Sequence, residues 1–421
     1  MSDSVYEYEE EYEPGGLHPV HIGDTFADGR YQVVNKLGNG YSSTIWLVRD
    51  STSTNYASLK ILEARRSESP TELHVLEHLE ATFDAQDEGS KHVVRMLDHF
   101  LHQGPNGIHL CIVQELLGPS LALDVKLFWA ISYLPESTSS RLVGQLILAV
   151  AYLHKRGIAQ GDLHAGNILL CLPSPLDPDI DFTTVVSNTG ELPSEPSPHK
   201  PRYLVEPVTQ RLGSDLLQSC MIKPYIKLCD FSESYMTNMV DPPKFGSPHI
   251  LRPPEGILTK LPHATLESDI WALAVAIYQL LTSGGLLFSE YDDSILEDMV
   301  LTLGKLPEPL WSKWANRACF FDEEVNPVIQ AFNIKAQTTS FRQKVRGWTR
   351  DEGKISALAA MFETMARYDA QSRSRASELV QSDWMTNYCR PYMGDDVILP
   401  TERRKVRVNR FVIDPRVLNA P

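Results

Sequence analysis

The sequence predicts an α+β fold in two lobes, with a small β-rich lobe followed by a larger helical lobe. Between residues 31 and 115, short runs of β-branched and aromatic residues alternate with turn residues, a pattern typical of a sheet. From residue 138 onwards, apolar residues recur at the spacing of helices. A chain of 421 residues also exceeds what one hydrophobic core usually supports, so two lobes are expected.

The β-rich lobe is predicted to span residues 17–118. One helix interrupts its strands over residues 71–79, where Leu73, Leu76 and Leu79 share a face. The predicted strands cover residues 31–36, 44–48, 56–62, 93–100 and 108–115. This lobe therefore consists mainly of sheet.

The helical lobe is predicted to span residues 119–390. Residues 172–224 are rich in Pro, Ser and Asp and lack periodicity, which indicates an insertion into this lobe. The acidic, tyrosine-rich residues 1–16 predict a mobile tail, and residues 391–421 a C-terminal tail. The predicted helices of the lobe include residues 138–156, 266–281 and 355–366.

Composition narrows the classes of function and location. The formal net charge of −15 disfavours direct nucleic-acid binding and favours cationic partners. The 6 cysteines form no C-x-x-C pair, which argues against a zinc module and fits a reducing compartment. No basic stretch followed by an apolar run opens the sequence, and no apolar segment is long enough to span a membrane. We therefore expect a monomer in the cytoplasm or nucleus, without membrane association.

The most informative motif is GDLHAGN at residues 161–167, which the apolar run ILL follows. Phosphoryl transfer requires a carboxylate that accepts the proton of the attacking hydroxyl and an amide oxygen that holds Mg²⁺. Asp162 and Asn167 supply these groups five positions apart. The pattern D-x-x-x-x-N also occurs by chance, so its weight depends on the motifs that accompany it.

A glycine-containing turn joins the first two predicted strands. Gly38 and Gly40 would let the backbone approach phosphate oxygens closely, and amide N–H groups would bind them. Such a turn is more often an ordinary hairpin, but its position at the start of the β-rich lobe favours nucleotide binding. The candidate nucleotide-binding residues of this loop are Leu37, Gly38, Asn39, Gly40, Tyr41, Ser42, Ser43, Thr44 and Ile45.

Lys60 in the third predicted strand and Glu72 at the start of the helix form a candidate ion pair. An inward-pointing lysine needs a partner because an unpaired buried ammonium is costly. Paired with Glu72, Lys60 would be oriented towards the phosphates of a nucleotide. Each residue alone has an ordinary explanation, namely a solvated lysine and an acid in the first turn of a helix. Lys60 and Glu72 indicate a nucleotide site only when they are considered as a pair.

Four later residues complete the set. Asp230 follows a short apolar run and could chelate Mg²⁺ between two phosphates, although it could also cap a turn. Glu255 and Arg373 could form a buried bidentate ion pair. Asp269, near the start of a long apolar helix, could brace the loop that carries Asp162.

The order of these motifs resembles the eukaryotic protein kinase family over about residues 30–390. Residues 15–31, 36–38 and 43–47 are similar to the entry to the catalytic domain of the serine/arginine-rich protein kinases, the SRPK family of the CMGC group. That family also has a spacer where residues 172–224 lie here. The resemblance implies a bilobal serine/threonine kinase that uses ATP and Mg²⁺ and acts on cationic, Arg/Ser-rich protein substrates.

The resemblance also implies roles for individual residues. Asp162 would be the catalytic base, Lys60 and Glu72 would position the phosphates, and Asn167 and Asp230 would hold the metal. Adenine would lie against Ser58 and the backbone of Glu115 and Leu117. An acidic run is a candidate contact for substrate arginines, although a solvated helix face is the commoner explanation for any one of its acids; its members are Glu290, Asp292, Asp293, Glu297 and Asp298.

The chain departs from the kinase pattern at three places. Gln160 and Gly161 replace the usual His-Arg before the catalytic Asp, His164 replaces a lysine, and Ser232 replaces the glycine of D-F-G. The missing arginine is the usual receptor for a phosphorylated activation segment, so activity should not depend on phosphorylation of Ser234, Thr237 or Ser247.

These departures leave two other classes of function open. One is a pseudokinase that keeps the fold without catalysis. The other is a small-molecule phosphotransferase, which the run D-L-H-x-G-N also resembles.

Overall fold

The computed structural model places a β-rich lobe before a helical lobe, as the sequence predicts. It describes residues 7–394 except 41, 54, 69, 123–133, 175–196, 208–215, 237–238, 240–241, 260, 290–291 and 329–337.

The N-terminal lobe is built on a 6-stranded antiparallel sheet in the order β1-β2-β3-β4-β6-β5. Its strands are β1 (Thr25–Phe26), β2 (Tyr31–Gly40), β3 (Ser43–Asp50), β4 (Tyr56–Leu62), β5 (Met96–Gly104) and β6 (Gly107–Glu115). The five predicted strands are present. The short strand β1 was missed because 2 residues are too few to show an alternating pattern.

The sheet has two different faces, because successive side chains of a strand point to opposite sides. Lys60 on β4 lies opposite Ile45 on the neighbouring strand β3 and opposite Ile112 on the neighbouring strand β6. The three side chains therefore share the face towards the helical lobe. Trp46 and Leu59 pair one position away and lie on the outer face, where a separate apolar core has formed. The inner face therefore forms the roof of a cleft between the lobes.

Two helices accompany the sheet, α1 (Ala64–Ser67) and α2 (Thr71–Ala81). In α2, Val75, Leu76 and Leu79 are buried in the core that is shared with the helical lobe. The predicted helix over residues 71–79 is therefore confirmed, with two further residues at its end.

The prediction of a mobile N-terminal tail is wrong for residues 7–16. Residues Glu9–Glu11 form a 3-10 helix, and the side chain of Glu7 is buried. Further along, the amide of Gly15 donates to the carbonyl of Asn106 at 2.7 Å, and the amide of Ala64 donates to the carbonyl of Gly16 at 3.0 Å. The segment is fixed because its backbone groups pair with the lobe, which composition alone could not reveal.

The insertion contacts both lobes. Within its described parts, Val205 packs into the apolar core on the outer face of the sheet, and the hydroxyl of Tyr203 accepts a hydrogen bond from the amide of Ile22 at 3.2 Å. Leu217 and Cys220 are buried in the core of the helical lobe. The predicted insertion therefore covers the back of the small lobe and returns to the large one.

The helical lobe forms around α3 (Glu136–Lys155) and α5 (Leu266–Thr282), which are buried along most of their length. Thr265 caps the start of α5 because its hydroxyl accepts from the amide of Ser268 at 3.0 Å. The other α-helices are α4 (Pro254–Leu258), α6 (Asp292–Leu303), α7 (Leu310–Lys313), α8 (Phe341–Arg346), α9 (Glu352–Met365) and α10 (Ala376–Leu379). Among the described residues, no helix is both long and apolar enough to cross a membrane.

Four short strands line the floor of the cleft. They are β7 (Ile158–Ala159), β8 (Ile168–Leu170), β9 (Ile226–Leu228) and β10 (Tyr235–Met236). The strand β8 pairs with β9, and β7 pairs with β10. The residues 160–167 and 229–234 follow β7 and β9 directly, so the two predicted catalytic motifs lie next to each other.

Candidate active site

The centre of the cleft is an ionic cluster of three residues from three separate elements. The ammonium of Lys60 on β4 lies 2.7 Å from a carboxylate oxygen of Glu72 on α2 and 3.0 Å from one of Asp230 after β9. The side chains of Lys60 and Glu72 are only 8% and 2% exposed. The predicted pair is thus present, and the predicted metal ligand Asp230 joins it.

Burial and mutual attraction oppose each other in this cluster. Burial disfavours the charge on Lys60 and by itself would lower its pKa. The attraction of Asp230 and Glu72 is stronger than this effect, so the pKa of Lys60 is raised. Burial likewise opposes ionisation of Asp230, but Lys60 and Ser232 outweigh it and lower the pKa of Asp230. Asp230 is therefore an ionised carboxylate beside a cation, as a metal ligand must be.

Asp162 and Asn167 face each other across the loop that follows β7. The side-chain amide of Asn167 donates to the backbone carbonyl of Asp162 at 2.9 Å and to its carboxylate at 3.2 Å. The amide oxygen of Asn167 therefore remains the available ligand atom, and no described residue donates to it. The Oδ1 atom of Asp162 is buried without a partner among the described residues, whereas the side chain is 23% exposed, so Oδ2 is the oxygen that a substrate hydroxyl can reach.

Asp269 braces this loop from α5, as predicted. Its carboxylate accepts from the amides of Gln160 at 2.6 Å and Gly161 at 3.0 Å, and it lies 3.1 Å from the imidazole of His154. The carboxylate is buried, so these charge-assisted bonds form in a low dielectric.

Gln160 links the catalytic loop to the metal-binding segment, a role that the sequence reasoning missed. Its side-chain oxygen accepts from the amide of Asp162 at 2.8 Å, and its side-chain nitrogen donates to the carbonyl of Asp230 at 3.0 Å. An amide side chain has both a donor and an acceptor, which this bridge requires. The sequence shows that Gln160 departs from the kinase pattern, but it does not show which groups the side chain contacts.

Gly161 occupies a position where no side chain fits. Its φ of +81° lies in the left-handed region, and an added Cβ would lie 2.2 Å from the carbonyl oxygen of Glu233 and 3.0 Å from the Cβ of Ala264. The arginine of the usual pattern could not stand here without moving the activation segment.

His164 is held as a neutral imidazole that supports the catalytic carboxylate. Its Nδ1 accepts from the amide of Gly166 at 2.9 Å, so this nitrogen carries no proton. The proton is on Nε2, which donates to the Oδ2 of Asp162 at 3.1 Å. His164 therefore replaces the usual lysine through a hydrogen bond and not through a positive charge.

The glycine-containing loop is the hairpin between β2 and β3. Gly38, Asn39 and Gly40 pair with Ile45, Thr44 and Ser43 in turn. Tyr41 lies outside the described residues.

The side chain of Thr44 points away from the cleft. Its side chain is fully buried and accepts from the indole nitrogen of Trp46 at 2.9 Å, which places it on the outer face of the sheet. Only its backbone faces the cleft, because the alternation along β3 turns Ser43 and Ile45 inwards instead.

The wall expected to hold adenine is formed by β4, β6 and the residues after β6. Ser58 pairs with Gln114 on the cleft face. The side chain of Glu115 binds the ammonium of Lys227 and accepts from the amide of Arg95 at 2.8 Å, so only its backbone can face a base. The backbone of Leu117 makes no hydrogen bond with a described residue.

Gln114 was missed by the sequence reasoning, although its cross-strand position opposite Ser58 would have indicated it. Its side-chain nitrogen is buried without a partner among the described residues.

Glu255 and Arg373 form the predicted bidentate ion pair. The two guanidinium nitrogens lie 2.7 and 2.8 Å from the two carboxylate oxygens. The guanidinium also donates to the carbonyl of Glu267 at 3.0 Å, so α4 is joined to α5 and to the segment before α10.

Comparison with known proteins agrees with this geometry. Residues 31–176 match the family model described as protein kinase domain. A serine/threonine protein kinase of Aspergillus fumigatus is 30% identical, and the alignment covers 91% of this chain and 92% of that protein. The chain is also 29% identical to the serine/threonine-protein kinase SRPK of Physarum polycephalum, over 94% of this chain and 93% of that protein.

The chain belongs to the SRPK family of serine/threonine protein kinases. A shorter alignment with the human SRSF protein kinase 3, at 36% identity, covers 40% of this chain and 30% of that protein. The protein is thus a serine/threonine protein kinase, and it acts on protein substrates. Nothing in the comparisons favours the pseudokinase alternative.

The acidic run of this SRPK-family kinase is only partly available to a substrate. Asp293 accepts from the indole of Trp314 at 2.6 Å, and Asp298 is paired with Lys344 at 3.1 Å. For these two acids the candidate role in binding arginine is not supported, because their carboxylates hold the helical lobe together. Glu290 and the side chain of Asp292 lie outside the described residues, and Glu297 is half-buried beside Asp298.

The activation segment begins in direct contact with the catalytic loop. Ser234 is fully buried, and its hydroxyl donates to the carbonyl of Gln160 at 2.8 Å. Ser247 is 2% exposed, and Thr237 lies outside the described residues. The two described serines are therefore not positioned as phosphorylation sites.

Gly161 gives a direct test of this packing. We expect Gly161→Ala to lower the free energy of unfolding by about 4 kcal/mol or more, because it adds a backbone clash to left-handed strain. Phosphorylation should slow by at least about 100-fold as Asp162 moves. Denaturant melts and peptide kinase assays measure both effects.

Gly23→Ala is the matched control, since Gly23 has a φ of +91° and nothing within 4 Å of an added Cβ. It should cost about 1–2 kcal/mol and leave the rate unchanged. Equal behaviour of the two variants would contradict the steric explanation.

Proposed function

We propose that this kinase transfers the γ-phosphoryl group of Mg·ATP to serine or threonine hydroxyls in Arg/Ser-rich proteins. The observation that carries the proposal is the convergence of Lys60, Glu72, Asp162, Asn167 and Asp230 in one cleft. These are the side chains that phosphoryl transfer requires, and each lies within hydrogen-bonding distance of another member; Lys60, Glu72 and Asp230 meet from three separate elements.

The donor set fits a nucleotide and its metal. Asp230 and the amide oxygen of Asn167 would hold Mg²⁺, because both are hard oxygen ligands on the floor of the cleft. Lys60 would contact the phosphates, and the amides between Gly38 and Ile45 would cover them. The metal ion would neutralise charge on the phosphates when bound.

Asp162 has the position of a general base. Its Oδ2, which His164 and Asn167 hold in place, would accept the hydrogen of the substrate hydroxyl. A carboxylate that is fixed by two hydrogen bonds keeps a single orientation, which favours a productive alignment of the hydroxyl.

Glu233 is the acid that we propose to bind an arginine of the substrate. It lies in the activation segment directly after Ser232, is half-buried, and has no ion pair or hydrogen bond to its carboxylate among the described residues. Burial, Asp162 and Asp230 raise its pKa, while the nearby cation Arg66 partly offsets this rise. A substrate guanidinium next to the acceptor serine would reduce the repulsion between Glu233 and the carboxylates of Asp162 and Asp230, so an Arg/Ser-rich segment suits the site.

Activity without phosphorylation of the activation segment is also part of the proposal. The activation segment is already joined to the catalytic loop without a phosphate group, because the hydroxyl of Ser234 donates to Gln160 and β10 pairs with β7. Gly161 offers no cation to receive one. Phosphatase treatment should therefore leave the rate of peptide phosphorylation unchanged. A loss of more than about tenfold, reversed by a second kinase, would contradict this.

We further propose that the protein works as a monomer in the cytoplasm or nucleus. Its 6 cysteines all lie in the described residues and form no disulfide, and burial raises the pKa of Cys171 to about 11. Such thiols fit a reducing compartment.

The central experiment measures ATP turnover with Mg²⁺ and then transfer to an Arg-Ser repeat peptide, for the wild type and for Asp162→Asn. We expect transfer by the wild type and a loss of about 100- to 10,000-fold in the variant, with an unchanged thermal midpoint. Undiminished activity of the variant would rule out Asp162 as the base. Transfer to aminoglycosides but not to the peptide would favour the small-molecule alternative.

Glu233 is tested with Glu233→Gln. We expect the KM for the Arg-Ser peptide to rise about tenfold while kcat changes by less than about twofold, because the contact is made by the bound substrate outside the reacting atoms. The effect should shrink when the arginines of the peptide are replaced by alanine. Glu88→Gln is the control, because Glu88 is an exposed acid paired with Arg390, and an equal rise in KM for that variant would contradict the role of Glu233.

A further inference from the structure

We propose that Glu7 is a positioning residue for the glycine-containing loop, which it controls through Lys36. The inference rests on the nucleotide binding proposed above. It assigns a function to an N-terminal segment that lies outside the kinase motifs.

Lys36 lies on β2 directly before the loop. It pairs with Trp46 across the sheet, so its side chain lies on the outer face, away from the nucleotide. Its ammonium is 5.9 Å from the centre of the Trp46 ring, and the side chain has no exposed surface. The strand pairing shifts register between Lys36 and Gly38, so the fixed lysine stands at the point where the regular strand changes into the loop.

Glu7 supplies the charge that makes the burial of Lys36 possible. Its side chain is 2% exposed, and its carboxylate accepts hydrogen bonds from the ammonium of Lys36 and from the hydroxyl of Tyr12. Among the described residues, Lys36 forms no other ion pair. Burial lowers the pKa of Lys36, and Glu7 opposes this effect, so Glu7 is the group that keeps the buried lysine charged and β2 in this conformation.

The rest of the segment fixes Glu7 to the lobe. Gly15 donates to the carbonyl of Asn106, and Leu17 is buried while its carbonyl accepts from the side chain of Asn106 at 2.6 Å. Lys200 of the insertion binds Glu9 at 2.7 Å. The position of Glu7 is therefore set by the scaffold, and Glu7 in turn sets the position of β2 next to the loop.

Loss of this pair should affect nucleotide binding and not the chemical step. A neutral residue at position 7 leaves the ammonium of Lys36 without a partner, and the lysine can reach water only if β2 moves. The amides after Leu37 would then lose their alignment with the phosphates. Asp162 and Glu233 lie on the other lobe and keep their positions.

The test compares Glu7→Gln with Glu13→Gln. Glu13 belongs to the same segment, but its ion pair with Arg65 is exposed, with side chains 58% and 54% accessible. We expect Glu7→Gln to raise the KM for ATP about tenfold, with the KM for the peptide and kcat changed by less than about twofold. Glu13→Gln should leave all three constants unchanged. Without nucleotide, amide hydrogen exchange over residues 37–47 should be faster only in Glu7→Gln.

Two further variants guard against a simple folding defect. Glu7→Leu combined with Lys36→Met removes both charges, so the KM for ATP should return to within about twofold of the wild type. Tyr12→Phe removes one hydrogen bond to Glu7 and should raise this KM about two- to threefold.

Three results would overturn the inference: a lower thermal midpoint of Glu7→Gln with an unchanged KM for ATP, an equal effect of Glu13→Gln, or no rescue in the double variant. A wild-type chain that binds no ATP would instead refute the proposed function.

Discussion

The buried contact of Lys60 with Glu72 and Asp230 is the interaction on which the rest of the structure depends. It joins a strand, a helix and the segment after β9, which come from both lobes. Taking such charges out of water is unfavourable unless each has its partner at close range. The relative position of α2, the sheet and the floor of the cleft is therefore tied to one ammonium group, and the cleft is shaped around it.

The catalytic loop shows how a family pattern can change without losing its geometry. The usual His-Arg pair is replaced by Gln160 and Gly161, and the two replacements support each other. The glutamine bridges Asp162 and Asp230, while the glycine lets the backbone of Glu233 approach. Ser234 then bonds to the carbonyl of Gln160. Hydrogen bonds of the Gln160 and Ser234 side chains with the backbone, together with the close approach at Gly161, thus replace a side chain that would receive a phosphate.

The outer face of the sheet explains why segments beyond the kinase motifs are ordered. A sheet that is apolar on both faces must be covered on both. The helical lobe covers the inner face, whereas residues near Val20 and Val205, from the N-terminal segment and the insertion, cover the outer one. The acidic composition of the first residues suggested a mobile tail, but a buried lysine on β2 gave one of these acids a partner.

The sequence by itself determined the two lobes, most of the strands and helices, and the identity of the catalytic groups. Hydrophobic periodicity is a local property, and the motifs keep their order along the chain, so both could be read directly. Only the tertiary structure decided which groups meet: that Gln160 forms a bridge, that Thr44 faces outwards, that Asp293 and Asp298 are already paired, and that Glu7 reaches Lys36. These contacts join residues far apart in sequence or depend on which face a side chain occupies, and neither local propensity nor motif spacing contains that information.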